Sequence, residues 1–316
     1  MQFGQKEQRR WLLLSCCLLP VKSRAVIGKR AGKWFAFWLL VAVSVPAPYS
    51  EAASACVWKV TAPDGKSLYL AGSVHALRST DYPLPPAYNR AFEAATHLAF
   101  EVDAKALEGS SRSLQKEGEY PRGDSLKAHV DPRTYDYLRR VFALAKVPEE
   151  KFNRLRPWAL VLALQSAAGS GVSHDLGVDQ YLMRRAAARS KPSSGLETAR
   201  EHALVYSGLT DRQGEALLLM TFIPGAPGTG EGKKIMTAWR QGDADYLTRM
   251  MHESYRDFPS FSNRLLNDRN QLWIPKIESF IRSGRTYLVV AGAAHFGGGD
   301  GVVALLRTRG YKVEQL

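Results

Sequence analysis

Two stretches decide the fold: SLYLAGSVH (Ser67–His75) and TYLVVAGAAH (Thr286–His295). Each is an apolar, β-rich run that stops at Gly-x-x-His, first as Gly72-Ser-Val-His75, then as Gly292-Ala-Ala-His295. Short apolar runs bounded by glycine read as buried strands. The chain therefore places a histidine at the mouth of a hydrophobic strand twice, at positions more than two hundred residues apart.

Outward from these runs, CVWKVTAPDGKSLYLAGSVH reads as a hairpin turning at Pro63-Asp64-Gly65. A proline-rich loop follows, then a helix near Pro86–Ala95 and a strand over His97–Val102 carrying Glu101. Residues 105–124 are polar and read as a loop. From about residue 125 to 285 the pattern is helical, with Asp131 as N-cap before Pro132 and a restart at Pro157. A short strand at KPSSGLET ends at Glu197, and PGAPGTGEG (Pro224–Gly232) is the most breaker-rich segment. Strand, helix and strand close the chain. The expectation is an α/β protein whose central mixed sheet is formed from N- and C-terminal strands, with a large helical middle as cap.

The first 55 residues read differently. Lys29, Arg30 and Lys33 precede WFAFWLLVAVSV, and Ala53-Ser-Ala55 follows a small-residue stretch. That is the order of a secretory signal peptide, with residues 1–28 an extension ahead of it. The expected location is the periplasm or cell envelope. An uncleaved signal anchor is the alternative, and Cys56, directly after the small-residue site, is a candidate lipid anchor. Membrane contact follows only in those two cases. Residues 56–316 then form a single domain with a single cysteine, which excludes an internal disulfide or a cysteine metal cluster. The net charge of +13 falls to about +7 in this part, where 35 Lys+Arg face 28 Asp+Glu. The basic residues are scattered rather than gathered, so nucleic acid is not the expected partner.

In open α/β sheets, ligands bind at the carboxyl ends of strands. His75, Glu101, Glu197 and His295 all stand at such ends. The glycine three residues before each histidine is expected to let the backbone turn sharply. Two imidazoles and a carboxylate suit a divalent metal able to activate water. A structural reading stays open for each: a lone histidine after a strand is more often structural, and a lone glutamate more often a surface charge. No Gly-x-Ser-x-Gly elbow or P-loop is present. The Gly297-Gly-Gly-Asp-Gly301 run reads as a turn passing close to His295. His97 is expected to pack within its strand, and His129, His174, His202 and His252 to be structural, without paired ligands.

The chain resembles the TraB/PrgY/GumN proteins, a family that includes the Tiki metalloproteases, and within it the GumN-like branch. The resemblance rests on Trp58-Lys-Val60, LYLAGSVHAL, DYPLPPAYNRAFEAATHLAFEVD, Arg156-Pro-Trp158, GVDQYLMRRA, GLET, Trp239 with Gly242-Asp243, LLNDRN and GAAHFGGGDGVVALLRTRGYKV. It implies His75, His295, Glu101 and Arg269 as the functional set, with Glu197 a weaker fifth. It further implies a divalent metal (Mn or Co first, Zn or Fe next) on His75, Glu101 and His295, and a peptide or protein substrate. In that picture Glu197 accepts a proton, and Arg269 stabilises an oxyanion or holds a substrate carboxylate. Phe296 departs from the usual Leu after the histidine, and the glycine-rich acidic loop is longer than usual. The rival readings are a peptide-sequestering protein that does not cleave, a haem-binding envelope protein, and a metal-free hydrolase with a histidine base.

Overall fold

A computed structural model describes residues 54–167, 172–222 and 232–316. The signal-peptide segment and most of Pro224–Gly232 lie outside the described residues. Ser54–Leu316 forms one compact unit. Among the described residues no helix is long and apolar enough to cross a membrane.

The strands are β1 (Val57–Thr61), β2 (Ser67–Ser73), β3 (His97–Phe100), β4 (Ser193–Gly195), β5 (Tyr287–Gly292) and β6 (Lys312–Gln315). They form one mixed sheet in the order β4-β3-β5-β2-β1-β6. The neighbours β4, β3, β5 and β2 run parallel, while β1 is antiparallel to both β2 and β6. β5 is the central parallel strand and is buried along its whole length, which is why its sequence is apolar without alternation. It lies beside β2 with Gly72 opposite Ala291 and Ser73 opposite Gly292. The two Gly-x-x-His motifs thus leave the sheet side by side, and Glu101 and Glu197 follow the ends of the next two strands.

The motif glycines are required for space rather than for a sharp turn, since neither has a positive φ. A Cβ on Gly72 would lie 2.9 Å from the Cβ atoms of both Ala293 and Cys56. The Gly72 carbonyl is fixed from the other side by Trp239 Nε1–H (2.9 Å) and Tyr88 O–H (2.5 Å). Cys56 itself has no exposed surface, and its carbonyl accepts from Gly72 N–H at 2.7 Å. Burial foremost, with Asp243 nearby, pushes its thiol up to about 12. A lipid on Cys56 would require this buried thiol to become accessible.

The helical middle divides rather than forming one insertion. α1 (Pro86–Ala94), α5 (Val178–Ala188), α8 (Gly232–Arg240), α9 (Ala244–Ser254), α11 (Asn267–Arg282) and α12 (Val302–Thr308) bury apolar residues in the sheet core. α3 (Pro132–Leu144), α4 (Pro157–Ala167), α7 (Asp211–Met220) and α10 (Pro259–Leu265) build a second core around Trp158, Leu138, Leu217 and Phe261. Between them, α6 (Ala199–Ser207) packs on α2 (Ala104–Glu117). α2 replaces the loop expected over 105–124. Its polar composition hides the helix, but Asp103 caps it by accepting from Ala106 N–H at 2.8 Å.

The glycine contacts give a paired expectation. Gly72→Ala forces Ala293 and Cys56 apart and should cost about 1–3 kcal/mol. Gly299→Ala, where an added Cβ meets nothing within 4 Å, should be nearly neutral. Thermal melts of the two variants check this; equal melting temperatures would contradict it.

Candidate active site

Four adjacent parallel strands deliver four side chains to one floor: His75 after β2, His295 after β5, Glu101 after β3 and Glu197 after β4. Arg269, from the first turn of α11, lies at their centre and is 7% exposed. All five of its N–H donors are used. Nε donates to Glu197 Oε1 (2.6 Å), and Nη2 to Glu101 Oε2 (2.6 Å) and Glu197 Oε2 (3.1 Å). Nη1 donates to the Leu265 carbonyl and to His295 Nε2, both at 3.2 Å.

This geometry corrects two expected roles. Arg269 has no N–H left for an oxyanion or a substrate carboxylate; it joins the two glutamates. Glu197 is no free base either. Its Oε1 also accepts from Trp273 Nε1–H at 2.8 Å, and its Oε2 lies 3.3 Å from His202 Nδ1. Burial alone would raise the Glu197 carboxyl, but hydrogen bonds from His202 and Arg269 hold it below the usual range. Glu101 is likewise opposed by burial, and the cations around it, Arg269 foremost, hold it well below ordinary values. Its Oε1 accepts from Gly292 N–H at 2.7 Å and turns toward both imidazoles.

The two motif histidines occupy different environments. His295 is buried, its Nδ1–H donates to Asn270 Oδ1 at 2.7 Å, and its Nε2 accepts from Arg269. Those partners select the neutral Nδ1–H form. Burial first, then the Arg269 charge, lowers its pKa to about 3. His75 instead keeps 55% of its side chain exposed and faces Asp179 Oδ1 at 3.3 Å from Nδ1. Burial opposes its charging, but the hydrogen bond and charge of Asp179, helped by Glu101, outweigh this and raise its pKa to about 9. Solvent at the half-exposed ring screens that pull. Asp179 lies in the first turn of α5, which docks on the motif loop through Val178 N–H to the Val74 carbonyl (3.0 Å).

Whether these residues suit a divalent ion can be tested on their donors. His75 Nε2 and His295 Nε2 each lie 4.0 Å from Glu101 Oε1. Two of these atoms and the His295 ring meet beside Gly292, where an added Cβ would lie 3.2 Å from His75 Nε2, 3.4 Å from Glu101 Oε1 and 3.5 Å from His295 Cδ2. Ligands sharing one ion stand about 3.0–3.5 Å apart. In these positions, no group of three or more His, Cys, Asp or Glu side chains among the described residues encloses an ion. The donor types and charge do fit. With both imidazoles neutral, the carboxylates of Glu101, Glu197 and Asp179 face one guanidinium, leaving two negative charges. The half-exposed His75 has room to close the gap, and Arg269 Nη1 would have to release His295 Nε2.

Above the floor lies a cleft of about 660 Å³, walled chiefly by apolar side chains from the surrounding helices. His174 and His202 line it as well, so His202 is part of the site rather than a remote structural residue. His129 is not without partners: its Nε2 meets Asp124 at 2.8 Å and its Nδ1 meets Asp211 at 2.9 Å, away from the floor. His252 contacts Ser262 Oγ at 2.6 Å, and the His97 ring lies tilted against Tyr287, centroids 5.1 Å apart, at the start of β3. The glycine-rich loop packs on the start of α9, where Gly298 N–H donates to Asp245 Oδ1 at 2.7 Å. Asp179, Asn270, Trp273 and His202 are the site residues that sequence reasoning missed. Asp179 and Asn270 lie inside GVDQYLMRRA and LLNDRN, but nothing in either stretch shows which histidine each will face.

A mixed α/β sheet with two histidine motifs and a buried Glu-Arg-Glu tie at the ends of its parallel strands defines the class. The model of the TraB/PrgY/gumN family matches residues 56–315, and the chain belongs to that family. No curated protein and no solved structure matches the chain.

Two outcomes follow from the floor. Arg269→Leu leaves two buried carboxylates facing each other and should cost about 3–5 kcal/mol, seen as a lower urea midpoint; an unchanged midpoint would remove the tie from the account. The pH dependence has a worked sign. His295 is harder to protonate folded than unfolded, so stability falls as pH drops below about 6.5. Glu101 adds to the loss below the ordinary carboxylate range. His75, easier to protonate when folded, contributes stability that is full below about 6.5 and fades toward 9. Melting temperature against pH should therefore peak near neutrality, and His295→Asn should flatten the acid limb between about 6.5 and 4.5.

Proposed function

We propose that this chain is an exported hydrolase of peptide bonds whose floor takes a divalent cation between His75, Glu101 and His295, Mn or Co first and Zn or Fe as substitutes. The observation that carries the reading is that Glu101 Oε1 lies 4.0 Å from both His75 Nε2 and His295 Nε2, on a floor that holds two surplus negative charges once both imidazoles are neutral. When bound, such a cation polarises a carbonyl and makes water a nucleophile near neutral pH. The chain's own groups do the rest. Asp179 and Asn270 orient the two imidazoles with Nε2 turned inward. Arg269 keeps Glu101 ionised and aimed, and the apolar walls limit bulk water. Since Glu197 is fully occupied, the acceptor left facing the cleft is Glu101 Oε1; without an ion, His75 near neutral pH carries a proton and acts as a donor or acid rather than a base.

One observation favours a second reading. In the ion-free arrangement every Arg269 N–H and both Glu197 oxygens are occupied, so neither residue is positioned to stabilise a transition state. A peptide sequestered without cleavage fits that economy.

Melting the chain with and without Mn²⁺ or Co²⁺, followed by mass spectrometry of an incubated peptide mixture, tests the proposal. The expected result is a metal-dependent rise in melting temperature, lost in His75→Ala and His295→Ala, with new peptide termini. A rise without new termini selects the binder. Cleavage that survives a chelator selects the metal-free hydrolase; the absence of both the rise and the new termini overturns the reading.

A further inference from the structure

We propose that the cleft above the floor selects an extended peptide carrying large apolar side chains next to the bond held at the floor, with Met183, Met250 and Met251 as the specificity-determining wall. This rests on the peptide-hydrolase reading of the same site and names its substrate class.

The inference starts from charge. Apart from histidines, the charged residues among those lining the cleft are Glu101, Asp179 and Arg269. Each is already committed: Arg269 to Glu101 and Glu197, Asp179 to His75. All three belong to the floor, so a charged substrate side chain seated against the wall above it would lose its hydration and find no partner there, at a cost of about 1–3 kcal/mol or more. The wall offers the opposite kind of surface. Met183, Ile235, Met250 and Met251 are only half-buried and line the cleft. Two of the three methionines come from adjacent positions of α9, whose N-terminal end also holds the His295 loop through Thr248 Oγ1–H to the Ala294 carbonyl (2.7 Å). Wall and floor are therefore one mechanical unit.

Size and side-chain type agree. A volume of about 660 Å³ lies within the range of sites that enclose most of a small ligand. It accommodates more than one side chain, so residues on both sides of the reacting bond would be read. Methionine is unbranched and polarisable, and adapts to aliphatic and aromatic shapes alike. The wall is thus built to accept a class, large and apolar, rather than one residue.

The test uses fluorescence anisotropy of the full chain in chelator, so that metal-dependent turnover does not intrude. Two labelled peptides of equal length are compared, one with Leu-Phe at its centre and one with Asp-Lys, and dodecanoate serves as a competing acyl probe. The Leu-Phe peptide should bind at least tenfold tighter, consistent with the desolvation cost above. Met250→Lys and, separately, Met251→Lys should erase most of that difference, with circular dichroism confirming that each variant is folded. Equal affinities, or a preference for Asp-Lys, overturn the proposal whatever the variants do. Binding of dodecanoate but of neither peptide overturns it in favour of an acyl ligand. Preference without cleavage in added Mn²⁺ leaves this proposal standing and sinks the hydrolase reading; cleavage without preference does the reverse.

Discussion

The contact on which the site depends is the buried guanidinium of Arg269 between Glu101 and Glu197. Two carboxylates this close and this poorly hydrated cannot both ionise without a cation between them. Arg269 supplies it and uses every donor in doing so. Because β3 and β4 carry the two glutamates, the same contact ties the edge of the sheet to α11. Through Nη1 it also reaches His295, so the electrostatics of one motif histidine are set by the residue that holds the floor together. Breaking it would disturb packing, charge and imidazole state together.

The two Gly-x-x-His motifs are alike in sequence and different in use. Adjacent parallel strands bring them out in register, and each loop is then clamped by the start of a helix, α5 for the first and α9 for the second. The clamps differ. A carboxylate backs His75, which stays half-exposed and basic; an amide backs His295, which stays buried and neutral. A repeated motif therefore yields one solvent-facing and one interior imidazole on either side of Glu101. That asymmetry is what a site needs if one ligand or base must move while the other stays fixed.

Much of this was legible in the sequence where the signal is local. The apolar runs gave the strands, Asp131-Pro132 the start of α3, and the glycines the mouths of β2 and β5. The floor residues His75, Glu101, Glu197 and His295 were legible because strand ends are where α/β sheets place ligands. What stayed hidden depends on partners distant in the chain. Asp179 looks like an ordinary helix N-terminal acid until the topology puts it beside His75. Arg269 suggests a substrate clamp until its five donors are found occupied. The α2 helix escaped because its apolar stripe is thin, with Ala104, Leu107 and Leu114 set in an otherwise polar stretch.

The most direct measurement is a Co²⁺ titration followed by visible absorption, because ligand-field bands report the donors around the ion. One bound Co²⁺ per chain is predicted, with bands that vanish in His75→Ala and in His295→Ala alike. Bands that persist unchanged in either variant, or no bands at all, would contradict the claim that the two motifs form one site.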